Sequence, residues 1–290
     1  MLIAGLTLCL FTFDCAISGT GAGIHVDGPG VNADGVTTYT VTSPYQNRPT
    51  AVEVLQPNDM REDKQYPVLY ILPVNDGVEG PWGSGIQEAR RHDIPNTYHV
   101  ICVAPEYDYT PWFGDHSSDL TLKQESYLLK VVIPLIEERY PTMNRKEGRL
   151  LLGFSKSGFG AITLLLRHLD FIGKAAAWDA PFTSKTILKD EEEMVHVFAT
   201  EENYRGYYIP GLIEIHADAL RNGPPRITLV NNSLRAGPVA QVHDMLTALR
   251  IPHQYAEDVK RDHNWTSGWF PVAVRLLFDV TACPLTQVAR

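Results

Sequence analysis

The run Leu150-Leu151-Leu152-Gly153-Phe154-Ser155-Lys156-Ser157-Gly158-Phe159-Gly160-Ala161 passes from an apolar stretch through a Gly/Ser-rich turn into a second apolar stretch. A serine on a sharp strand-to-helix turn can act as a nucleophile, provided the residues two places either side are small. Gly153 meets that need at minus two. Ser157, not glycine, stands at plus two, so the strict Gly-x-Ser-x-Gly pattern fails by one position, although serine is still small. Gly158 and Gly160 let the following helix pack close to a sheet. Ser155 could instead be a simple helix cap; its place between an apolar strand and an apolar helix favours the nucleophile.

A hydroxyl needs a base to take its proton. Of the ten histidines, His263 in Arg261-Asp262-His263-Asn264-Trp265 is the best placed, after the last expected strand and before the C-terminal helix. His253 falls at a strand entrance, and His168 and His243 fall on helices. His116, His196 and His216 line a pocket or stand exposed. For the acid, the turn after Ile227–Asn231 reads Asn231-Asn232-Ser233-Leu234-Arg235-Ala236-Gly237 and has no carboxylate. The turn Ala177-Trp178-Asp179-Ala180-Pro181 offers Asp179, one strand from the elbow. Two alternatives stay open: Asp179 shapes its loop as an Asx turn, or Asn232 or Asp262 orients His263. The backbone N–H of Lys156, at a helix N-terminus, suits a developing oxyanion. A second donor is expected from Val74 or Asn75, after the apolar run 67–74. The aromatic group Tyr107, Tyr109, Trp112 and Phe113 follows a strand end. Trp112 and Phe113 are candidates for substrate contact, with loop packing as the plainer reading. Together these groups fit acyl transfer through a covalent intermediate.

The elements that must position these residues alternate in type. Thr37–Thr42 and 51–55 show period-two patterning and suit an antiparallel edge pair. The runs 67–74, 100–104, 150–154, 173–178 and Ile227–Asn231 are apolar and suit strands buried on both faces, with His253–Glu257 as a last strand. Helical periodicity covers 122–140, where Pro134 should introduce a kink, and also 159–168, 238–249 and 271–278. Strands alternating with helices imply an α/β fold: a mostly parallel central sheet with helices on both faces and an antiparallel N-terminal edge. One domain is expected over 36–282. The stretch 183–225, longer than a crossover helix requires, is a candidate cap, and 19–35 reads as a flexible lead-in.

At 290 residues, with 44% hydrophobic and 20% charged residues, the chain can bury a sizeable core. A net charge of −9 argues against nucleic-acid binding. Cys102 reads as a buried core thiol. Cys9, Cys15 and Cys283 complete the cysteines; none has zinc-site spacing, and a Cys9–Cys15 or Cys15–Cys283 bridge stays open. Residues 1–18 have the length of a signal-peptide core and are too short for a stable membrane span. They lack a positive start and carry Asp14. They read either as a secretory signal, giving a secreted or periplasmic protein, or as a disordered or mis-started N-terminus of a cytoplasmic one.

Residues Tyr66-Pro67-Val68-Leu69-Tyr70-Ile71-Leu72, Pro111-Trp112-Phe113, the elbow 153–161 and His263-Asn264-Trp265 with Trp269 resemble the putative-esterase family. That family includes esterase D, feruloyl esterases and antigen 85 mycolyltransferases, and the resemblance spans about residues 50–278. It implies the α/β-hydrolase fold, a Ser–His–acid triad, an acyl-enzyme, no metal or other cofactor, and a small-molecule or carbohydrate-linked ester as substrate. Three departures stand out: Ser157 replaces the elbow glycine, Leu72-Pro73-Val74-Asn75 replaces a His-Gly-rich oxyanion loop, and the common acid position is empty. They leave two alternatives open: acyl transfer to a sugar or lipid alcohol, and a binding protein that keeps the fold without catalysis.

Overall fold

The computed structural model describes residues 23–77, 80–187, 192–231, 234, 236–257 and 260–279. The segment 1–18, Cys9, Cys15, Cys283 and Asn232 lie outside these, and so do the expectations placed on them. In chain order the strands are β1 (His25–Val31), β2 (Thr37–Thr42), β3 (Thr50–Leu55), β4 (Val68–Ile71), β5 (Ile101–Pro105), β6 (Arg149–Phe154), β7 (Lys174–Trp178), β8 (Ile227–Asn231) and β9 (His253–Glu257). They form one sheet in the order β1-β2-β3-β5-β4-β6-β7-β8-β9. The pairs from β1 to β5 through β2 and β3 are antiparallel, and the rest are parallel. This is the expected mostly parallel sheet with an antiparallel N-terminal edge.

Alternate residues of one strand serve opposite faces. Leu151 joins a core with Phe159, Ile162, Leu128, Ile213 and Val239. Its neighbours Leu150 and Leu152 join a second core with Ile86, Trp265, Trp269 and Val274. The helices Gln124–Tyr127, Ser155–Arg167, Ile209–Arg221 and Ala236–Ala248 thus cover one face, and Gly85–Arg91 and Phe270–Phe278 the other. Coverage on both sides explains why the central strands read as unbroken apolar runs. Cys102 is buried as a free thiol, and burial raises its pKa. Among the described residues, no helix is long and apolar enough to cross a membrane.

One local expectation changes, and two other segments gain detail. The lead-in 19–35 contains strand β1, which pairs with β2 through a register break between Asp27 and Gly30. Its burial pattern is almost wholly exposed, so no apolar alternation announces it. Pro134, where a kink is expected, lies just after a local widening of the helix. The π-helical turn Leu128–Val132 comes first, and the N–H of Ile133 reaches back to the Leu128 carbonyl. That widened turn makes room for the proline ring at the start of Ile133–Arg139. The stretch 183–225, the candidate cap, ends in the helix Ile209–Arg221. Its last helix packs on Ser155–Arg167 as part of the layer, and Tyr204 lies parallel to Phe159 with ring centroids 6.4 Å apart.

Candidate active site

Strand β6 ends at Phe154, and the helix begins at once with Ser155. Ser155 has φ of +53°, in the left-handed region that residues with a Cβ rarely adopt. Its side chain is nearly covered, at 5% exposure. Strain at such a position persists only where neighbours enforce it. A Cβ on Gly153 would sit 2.4 Å from the backbone carbon of Ser157, so the turn closes only around a glycine. Ser157 itself is fully buried. Its hydroxyl donates to the Phe154 carbonyl at 2.8 Å and accepts from the Phe154 N–H at 3.0 Å. The residue that breaks the strict motif therefore ties the turn together.

Strand β7 lies beside β6, with Phe154 opposite Trp178. Asp179 follows, also with positive φ, +49°, and is buried. Its carboxylate Oδ2 accepts a hydrogen bond from His263 Nδ1. A carboxylate can only accept, so Nδ1 carries the proton in this bond and Nε2 of a neutral ring keeps its lone pair. The imidazole stands edge-to-face on Phe154, the residue before Ser155, with centroids 5.1 Å apart. The loop carrying His263 is fixed by the Asn264 carbonyl, which accepts from Trp269 Nε1 at 3.0 Å and from Ser267 Oγ at 3.1 Å. Asp179 is thus the carboxylate the structure places on His263.

The N–H of Lys156 belongs to the first turn of the elbow helix, where backbone donors have no intrahelical acceptor. The Lys156 ammonium reaches Glu193 at 3.5 Å, tying the elbow to the helix Glu192–Phe198. Val74 and Asn75 leave the sheet after β4, which neighbours β6 through Ile71 and Leu152. The Asn75 side chain packs where a Cβ on Gly80 would lie, 2.6 Å from its Oδ1.

Trp112 and Phe113 do not line a cleft. They are 1% and 0% exposed, which contradicts a substrate-contact role. Both backbone N–H groups bond to Gln124 Oε1 at 2.9 Å. Phe113 occupies the space a Cβ on Gly160 would need, 2.1 Å from its ring, and Trp112 meets Phe159 edge-on. They back the elbow helix from beneath. Trp82, not among the residues expected from the sequence, also borders the site: its ring meets His263 edge-to-face with centroids 5.5 Å apart. The turn residues Pro81 and Gly83 flanking an aromatic were its only local signal. Among the described residues, no group of three or more His, Cys, Asp or Glu side chains is arranged to hold a metal.

Residues 43–184 match the family described as Putative esterase. Esterase Rv1288 of Mycobacterium tuberculosis (strain ATCC 25618 / H37Rv) is 26% identical over 140 residues, 45% of this chain. The match spans only 29% of that relative's length. Among solved structures, a ferulic acid esterase superposes with a TM-score of 0.64 at 19% identity, covering 83% of this chain and 96% of the other. An S-formylglutathione hydrolase from Staphylococcus aureus gives 0.64 at 18% identity, again covering 83% and 96%. These likenesses establish the fold. The chain thus joins an α/β-hydrolase fold to the Putative esterase family's pattern across residues 43–184.

Proposed function

We propose that this chain hydrolyses carboxylic esters through an acyl-enzyme, with Ser155 as nucleophile, His263 as base and Asp179 as the orienting acid. The observation that carries the reading is the bond from His263 Nδ1 to the buried Asp179 carboxylate, with the imidazole packed on Phe154, the residue before a serine at positive φ. A protein serving only to bind has no need of that combination.

In the first half-reaction the Ser155 hydroxyl oxygen attacks the ester carbonyl and its proton passes to His263 Nε2. Asp179 holds the ring and stabilises the imidazolium. The new oxyanion is met by the N–H of Lys156 and one from Val74 or Asn75, and losing one such donor typically costs about 10²–10³ in rate. The intermediate collapses, the C–O bond breaks, and Nε2 returns the proton to the departing alcohol. Water then repeats the sequence on the acyl-serine and releases the acid. The substrate is a small-molecule or carbohydrate-linked ester. Ser155→Ala should abolish turnover of p-nitrophenyl acetate; a variant that keeps the wild-type rate would remove Ser155 from the mechanism.

A further inference from the structure

Trp82 is distant in sequence from every residue of the proposed triad, yet its ring rests against the His263 imidazole at an interplanar angle of 82°. It is 41% exposed. One exposed aromatic side chain means little by itself. Two further observations give this one a role. Its carbonyl accepts from the Trp265 N–H at 2.8 Å, so the loop that carries the indole is moored to the loop that carries His263. Beside this tether lies a cavity of about 240 Å³ whose lining includes Gly80, Gly83, Ser84, Gln87 and Thr266. Gly83 directly follows Trp82, and Thr266 directly follows Trp265. Gly83 holds φ of +88°, and a Cβ there would lie 3.4 Å from Trp265 Cβ.

The side of the ester that meets this surface follows from the proton path. The imidazole that deprotonates the nucleophile must later protonate the leaving oxygen, so the alcohol portion lies beside the imidazole. A side chain packed on that ring, with much of its surface open, borders the alcohol portion rather than the acyl portion.

We infer that Trp82 and the adjoining cavity form the leaving-alcohol subsite, and that it selects esters of ring-bearing alcohols with polar substituents. The inference rests on the hydrolase reading above. The indole offers a flat apolar face to an aromatic ring or to the C–H face of a sugar. Ser84, Gln87 and Thr266 supply hydroxyl and amide groups to the cavity lining, and Glu88 and Arg91 add a carboxylate and a guanidinium.

The test compares n-butyl acetate, benzyl acetate and an acetylated methyl glucoside, which share one acyl group and differ only in the alcohol. Trp82→Ala keeps the backbone carbonyl of the tether, and circular dichroism checks that it folds. The substitution should lower kcat/KM for benzyl acetate, the glucoside ester or both about tenfold more than for n-butyl acetate. Which ring ester loses more tells an aryl alcohol from a sugar. Trp82→Phe should recover most of the benzyl acetate rate. An equal loss on all three esters, or no loss on any, overturns the subsite while leaving the hydrolase reading intact. A wild-type protein that turns over none of them and is not labelled by a fluorophosphonate overturns the hydrolase reading, and the subsite with it.

Discussion

Ser155 and Asp179 leave adjacent parallel strands at the same height. Each is the residue after a cross-strand partner, Phe154 or Trp178, and each turns at once into left-handed backbone, φ +53° and +49°. The shared break in direction lifts both side chains off the sheet at its carboxyl edge, where sites in this class of fold lie. His263 is brought to the same edge from the far end of the chain and bonded to Asp179.

Removing the charge at position 179 while keeping its shape tests that bond. Asp179→Asn lets an amide N–H face the ring and favours the wrong imidazole tautomer. On the proposed mechanism kcat should fall by about 10⁴, with KM little changed. A KM effect with kcat intact would instead make Asp179 a loop-shaping residue.

Ser157 gives an opposite expectation. Ser157→Gly restores the strict motif but deletes two buried hydrogen bonds to Phe154 and places a glycine in a helix. Stability should drop by about 2 kcal/mol, or roughly 4–8 °C in the thermal midpoint, while Ser155 keeps its reactivity. Unchanged thermal denaturation would show that the tie has no role in stability. Gly153→Ala should be worse on both counts, because the obstructing atoms are backbone.

Acid stability depends on a site outside the proposed triad. Burial would raise the Glu125 carboxyl, but hydrogen bonds from His168 and Arg167, the Arg167 charge and the Tyr207 hydroxyl hold it at about 2 rather than 4.5. A folded-state value below the unfolded one contributes stability that is complete above about pH 4.5 and is lost as pH falls towards 2. The shift corresponds to about 3 kcal/mol. Between pH 5 and pH 3 the wild-type unfolding free energy should fall by about 2 kcal/mol more than that of Glu125→Gln. Parallel profiles in urea titrations would contradict this role.

The sequence was informative where local geometry limits the choice of residue. Gly153 is legible because no other residue closes the turn, and the central strands are legible because burial on both faces makes them apolar throughout. Asp179 emerged because the next turn lacked a carboxylate. Contacts set by long-range packing were not legible. Trp112 and Phe113 follow a strand end, as a ligand wall would, but the room left by Gly160 draws Phe113 under the elbow helix. Trp82 meets His263 only because the Trp265 N–H reaches its carbonyl across the fold. Strand β1, broken at Gly28-Pro29-Gly30 and mostly exposed, has no periodicity to read.

Activation of Ser155 by His263 and Asp179 is read by fluorophosphonate labelling followed by peptide mass spectrometry on wild type, Ser155→Ala, His263→Ala and Asp179→Asn. One adduct is expected, on the peptide carrying Ser155, with labelling lost in Ser155→Ala and strongly slowed when His263 or Asp179 is changed. An adduct on another residue, or labelling of Ser155 at an unchanged rate without His263, would contradict it.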